Sequence, residues 1–141
     1  MHLCVHLTGQ RTAGQSPAHL LRSTADYLQV HGWHQGDLYD LSVADAHPPA
    51  CVLGGIYHAA VDIREPGCKG VCCPSPDVPA TFRALASYLV DTGRVERNQY
   101  PLPGHEDGVI GNWNDEPDRT VTDILTALRE AADRWERSRA S

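Results

Sequence analysis

No run of apolar residues in this chain approaches the ~20 needed to cross a bilayer. The opening Met1 to Gly9 has too short an apolar part, and no cationic start, for a secretory signal, so a cytoplasmic location without membrane contact is the expectation. There is no phosphate loop, dinucleotide fingerprint, nucleophile elbow or His-Glu-x-x-His helix, which removes most ATP, NAD and zinc-protease readings and leaves no cofactor to expect. Positive charge is scarce as well. Twelve bases face 18 acids for a net charge of −6, which argues against a general nucleic-acid binder. Arg129, Arg134, Arg137 and Arg139 near the end alternate with acids, the pattern of a solvated helix face.

What is there suits a single domain. A chain of 141 residues buries most of its apolar surface without a staple. The five cysteines, at 4, 51, 68, 72 and 73, are thiols by default in a reducing compartment, or metal ligands.

Three amphipathic helices stand out. Ser16-Pro17 is a strong start, serine accepting from first-turn amides and proline having no amide to satisfy. Leu21, Ala25, Leu28 and Val30 to His31 give one buried face, and Gly32 is a stop, so a helix is expected over residues 17 to 31. Asp77 and Pro79 open another, with a stripe of Phe82, Leu85, Ala86, Leu89 and Val90 ahead of Gly93. Thr120, with Asp123 three residues on, caps the last, whose stripe runs from Ile124 to Trp135. Between them, Cys51 to Ile63 is nearly all apolar and rich in Gly and Ala, and reads as a buried central helix, with a strand followed by a helix as the alternative. Alternation over Asp37 to Val43 reads as a half-buried strand or hairpin arm. Residues 94 to 119 read as a long connection, with only Val109-Ile110 as a strand fragment.

The expected fold is therefore mostly α (α+β), a small bundle of about four helices with one or two short strands. Residues 1 to 15 form a tail or short strand, 16 to 136 the domain, and 137 to 141 a frayed end.

Three blocks carry a resemblance: Gly-Trp-x-Gln-Gly at Gly32 to Gly36, Cys-x-Leu-Gly-x-Ile at Cys51 to Ile56, and Trp-Asn-Asp-x-Pro-x-Arg-Thr at Trp113 to Thr120. Together they resemble a family of small uncharacterised proteins of actinobacteria and their phages, over roughly residues 16 to 135. The resemblance implies a shared fold and a cytoplasmic origin of that kind, and brings no activity with it. The Cys68 to Cys73 loop and the first fifteen residues depart from that pattern.

The third block holds the leading site candidates. Asn114 and Asp115 precede a helix start, where free amides and the helix dipole favour an anion. In a functional reading Asp115 is a general base, Trp113 a wall for a ligand, and Asn114, Trp33, Arg119 and Tyr57 line the site. In a structural reading Asn114 and Asp115 close turns, Trp113 and Trp33 fill the core, and Arg119 pairs with an acid. His58 shares a helix face with Asp62 and is a catalytic partner for Asp115 if the two meet in space. Cys68, Cys72 and Cys73 read first as unpaired thiols, with a disulfide as an alternative, and are weak metal candidates, lacking the spacing of zinc knuckles. Cys51, at a helix start, is a nucleophile candidate or simply a small core residue. His105-Glu106-Asp107 reads as an acidic loop tip.

Two functions follow from different classes. One is a small binding or accessory protein with a pocket or partner surface near Trp113, its partner a small molecule or a protein. The other is a cofactor-independent enzyme of specialised metabolism, using Asp115 and His58 for acid–base chemistry. A homodimer through the Gly/Ala-rich helix is a further open alternative.

Overall fold

The computed structural model of the protein describes residues 15–43, 46–60, 77–96 and 102–140. These residues form five helices: α1 (Pro17–His31), α2 (Val52–Ala60), α3 (Asp77–Asp91), α4 (Glu106–Asn114) and α5 (Val121–Ala140). Residues 1–14, and with them nearly all of the expected tail, lie outside the described residues, as do Asp62, Cys68, Cys72 and Cys73.

Helix α1 begins where its signals place it. The Ser16 hydroxyl accepts from the His19 amide at 3.1 Å, and Gly32 closes the helix with φ 108° and an N–H bond to the Leu28 carbonyl. Its buried face, including Leu20, Leu21, Ala25 and Leu28, packs mainly on α5 and α2, with α3 alongside. The opposite strip of α5 supplies Ile124, Leu128 and Ala132 to the same core. At the start of α5, Thr120 and Asp123 exchange bonds, each side chain accepting from the other's backbone amide. The helix runs through Ala140. Its charges are partly paired across the bundle rather than only solvated: Arg22 of α1 reaches Asp133 at 2.6 Å and Glu136 at 2.7 Å, and Arg134 reaches Asp91 of α3 at 3.4 Å.

The glycines of α2 are explained by contact. A β-carbon on Gly54 would stand 2.2 Å from the Leu38 carbonyl oxygen, and one on Gly55 would stand 2.7 Å from the Thr24 methyl. Close approach of a loop on one side and of α1 on the other therefore offsets the helix propensity that two glycines lose, about 1 kcal/mol each.

Two expectations need correction. Residues 37 to 43 form no strand: Tyr39 and Trp33 each make an isolated bridge to Ala50, while Leu41 is 82% exposed and Val43 39%. The alternation is real in the sequence, but among the described residues no neighbouring strand covers Leu41 and Val43. Val109-Ile110 is likewise not a strand fragment. It belongs to α4, a fifth helix in what was expected to be a long loop. Gly108, Gly111 and Asn112 lower its local propensity, and burial of Val109, Ile110 and Trp113 against the bundle compensates.

Candidate functional site

The last residue of α4 is the centre of a polar knot. Asn114 is completely buried, and all four hydrogen-bonding positions of its amide are filled. Its Oδ1 accepts from the Trp33 indole N–H at 2.8 Å and from the Val52 amide at 3.0 Å. Its Nδ2 donates to the His34 carbonyl at 3.2 Å and to Asp115 Oδ1 at 2.9 Å. Gln35 then donates to the backbone carbonyls of Asn114 and Glu116 at 3.0 and 2.8 Å. The side chain therefore binds the segment after α1, the start of α2 and the end of α4 into one corner. Chain reversal permits it: Gly36 takes φ 101°, a conformation disfavoured for residues with a β-carbon.

Around this corner the remaining members of the block are also engaged. Asp115 Oδ1 accepts from the Gly36 amide at 3.0 Å. Arg119 donates from Nε to the Trp113 carbonyl at 3.0 Å, lies over the Trp113 ring at 4.9 Å and pairs with Glu116 at 3.2 Å. The start of α5, expected to attract an anion, has protein acceptors, and so has the start of α2. In α2 Asn114 takes the Val52 amide and Cys51 Sγ the Gly54 amide, and Asp123 with Thr120 occupies the start of α5. Asn114, Asp115, Trp33 and Arg119 thus hold elements together.

His58 and Asp115 are not brought together. The corner holding Asp115 adjoins the first residue of α2, and His58 is six residues further along, about 9 Å of helix rise. His58 instead stands in a ring cluster: Tyr27 is 4.4 Å from it and His47 is 5.4 Å, with His31 4.6 Å from Tyr27 and 5.1 Å from His47. Tyr27 also donates its hydroxyl to the Pro48 carbonyl at 2.6 Å, tying that segment to α1. Among the described residues no group of three His, Cys, Asp or Glu is placed to hold a metal ion. Cys51 is buried, and burial pushes its thiol above the ordinary value despite opposing hydrogen bonds from backbone amides. Position at a helix start does not activate it.

Two cavities border the candidates. The first, about 440 Å³, lies between the turn after α3 and the outer side of α4, with Arg94, Glu96, Asn112, Trp113 and Glu116 in its walls. Trp113 is only 1% exposed, and its indole N–H has no acceptor among the described residues. The second, about 220 Å³, lies where α2, α3 and the start of α4 meet, lined by Tyr57, Val78, Phe82, Arg83 and Asp107 among others. Tyr57 packs edge-on against Phe82, ring centroids 5.6 Å apart. Burial, with the Asp107 carboxylate near it, raises the Tyr57 phenol above its ordinary value, so it is a neutral donor at physiological pH.

Sequence reasoning missed Gln35, Arg83, Arg94 and Asp107 as individuals. Gln35 stood inside a quoted block and Asp107 inside the His105-Glu106-Asp107 cluster, so partial signals existed. That cluster is a helix start and not a loop tip: Glu106 opens α4, its carboxylate accepting from the Gly104 amide at 2.9 and 3.1 Å. Arg83 and Arg94 carried no distinguishing signal.

With this geometry in view, the comparison with known proteins is brief. The model described as "Family of unknown function (DUF6197)" matches residues 12–134, and the chain belongs to that family. No curated protein and no solved structure matches it significantly.

Proposed function

We propose that this family member is a small binding or accessory protein, and that its binding surface is the polar cleft beside Trp113. The observation that carries the reading is the Trp113 indole N–H, buried without an acceptor among the described residues, on a residue that forms part of that cleft. Buried polar groups are satisfied in the great majority of cases, and an exception calls for a reason. Several features support this one. The cleft, at about 440 Å³, is in the size range of ligand sites. Arg94, Glu96 and Glu116 give it charges of both signs, and Asn112 adds an amide. A polar, uncharged ligand presenting a carbonyl oxygen to the indole N–H suits these walls. Asn114, Trp33, Asp115 and Arg119 then act as the frame that fixes α4, and the absence of a His58–Asp115 pair favours binding over acid–base catalysis.

The test uses protein labelled with nitrogen-15 in its three tryptophans. Trp113 is assigned by exclusion from the spectra of Trp33→Phe and Trp135→Phe. Free amino acids, nucleosides, sugars and tripeptides are then titrated in. A saturable shift of the Trp113 indole signal that is weakened in Asn112→Ala and Glu116→Ala supports the proposal. A folded protein whose Trp113 signal moves with none of these probes overturns it.

A further inference from the structure

The cavity between α2, α3 and the start of α4 is separate from the Trp113 cleft, and its walls differ in character. Its apolar side is built by Val78, Pro79 and Phe82 of α3, with the Tyr57 ring set across Phe82. It is a pocket of about 220 Å³ that opens to solvent, with Arg83 and Asp107 exposed at its edge. A branched aliphatic or single-ring body therefore fits.

The polar side is more informative. Arg83 projects from α3 and Asp107 from the first turn of α4, and both line the cavity. Among the described residues neither takes part in an ion pair, with the other or with any third group. Their neighbour Glu106 is already held by the Gly104 amide. The Tyr57 hydroxyl likewise has no hydrogen-bond partner among the described residues. Beside the amide-held Glu106 carboxylate, the cavity thus presents an apolar floor, a neutral phenol, and the opposite charges of Arg83 and Asp107 on different walls, which form no ion pair with each other. A bare amine would leave Arg83 unmatched, and a bare carboxylate would face Asp107.

We propose that this cavity is a binding site for a small zwitterion with an apolar body, of the class of aliphatic α-amino acids. The ammonium group faces Asp107, the carboxylate faces Arg83 with the Tyr57 hydroxyl as a further donor, and the side chain lies on Val78, Pro79 and Phe82. Charge-assisted hydrogen bonds hold the two ends, and burial of the body contributes the rest.

The experiment titrates L-leucine into the full chain labelled with nitrogen-15, followed by backbone chemical shifts. Two analogues are run beside it, 4-methylpentanoate, which lacks the ammonium, and 3-methylbutylamine, which lacks the carboxylate. The expected result is saturable shifts centred on Tyr57, Phe82 and Asp107, with each analogue weaker by about tenfold or more. Arg83→Gln and Asp107→Asn, both at exposed positions, should weaken leucine to a similar degree without unfolding the protein. No saturable shift by leucine, analogues that bind as well as leucine, or shifts centred on Trp113 would each overturn the proposal. The Trp113 cleft is tested by a different signal and different variants, so the two proposals fail separately.

Discussion

Trp33 donates its indole N–H to Asn114 Oδ1 at 2.8 Å, joining two residues 81 positions apart in the chain. Because Asn114 also takes the first amide of α2 and gives both its own hydrogens to neighbouring backbone and carboxylate, this pair locks the ends of three helices. Its main consequence is for stability.

Replacing Asn114 with alanine strands the Trp33 N–H and the Val52 amide in a buried place. We expect a loss of about 3 kcal/mol or more, since each unmet buried group costs about 1–3 kcal/mol. Trp33→Phe keeps most of the ring packing and leaves Oδ1 with its Val52 bond, so it should cost about 1 kcal/mol. Urea unfolding of the two variants gives the comparison. Equal losses would mean that the knot contributes no more than one bond.

Glycine to alanine changes should differ in sign along the chain. At Gly54 the added carbon meets the Leu38 carbonyl at 2.2 Å, and a loss of about 3 kcal/mol is expected from overpacking against backbone. At Gly111, inside α4, it meets only the Leu53 methyl at 3.6 Å, an ordinary contact. There the gain in helix propensity should stabilise by up to about 1 kcal/mol. Thermal melts of both variants decide it, and a destabilised Gly111→Ala would contradict the packing described for α4.

The Tyr88 phenol is pushed up to about 12, first by burial and then by its hydrogen bond to Glu130. An unfolded tyrosine titrates near 10, so the unfolded chain releases this proton first as pH rises. Stability from Tyr88 is therefore complete below about pH 10 and is lost between about pH 10 and 12. Unfolding followed by circular dichroism across that window should be shallower with pH for Tyr88→Phe than for the parent. Identical slopes would remove Tyr88 as the cause.

Cys51 should behave as a core residue. With its thiol buried and shifted upward, alkylation by iodoacetamide at neutral pH should be at least about tenfold slower in the native protein than in urea. Mass spectrometry of the Cys51 peptide reads this directly. Rapid native labelling would restore the nucleophile reading.

Much of this architecture was legible in the sequence because it rests on local rules. Ser16-Pro17 and Gly32 bound α1 and Thr120 with Asp123 starts α5, each through backbone groups within a few residues, and Asp77 and Gly93 bracket α3. Helix α4 was not legible. Its glycines and asparagines read as loop, and only burial of Val109, Ile110 and Trp113 by α2 and α3 outweighs that propensity. The alternation of Tyr39, Leu41 and Val43 misled in the opposite direction, since a strand needs a neighbour and this segment has only single bridges to Ala50.

For the candidate site the division is sharper. The Trp-Asn-Asp block was recognisable as unusual from residue types alone, because two amides and an indole before a helix cap are hard to place by packing. Whether they faced a ligand or one another depended on which distant groups arrived beside them. Trp33, Val52 and His34 supply three of the four bonds to Asn114, from up to 81 residues away, and periodicity carries no information at that range. The same holds for Arg83 and Asp107. By itself the sequence determined where α1, α3 and α5 begin, since caps and apolar stripes act over one or two turns. Only the tertiary structure decided which polar groups find partners and which stay open, because that depends on how the helices pack.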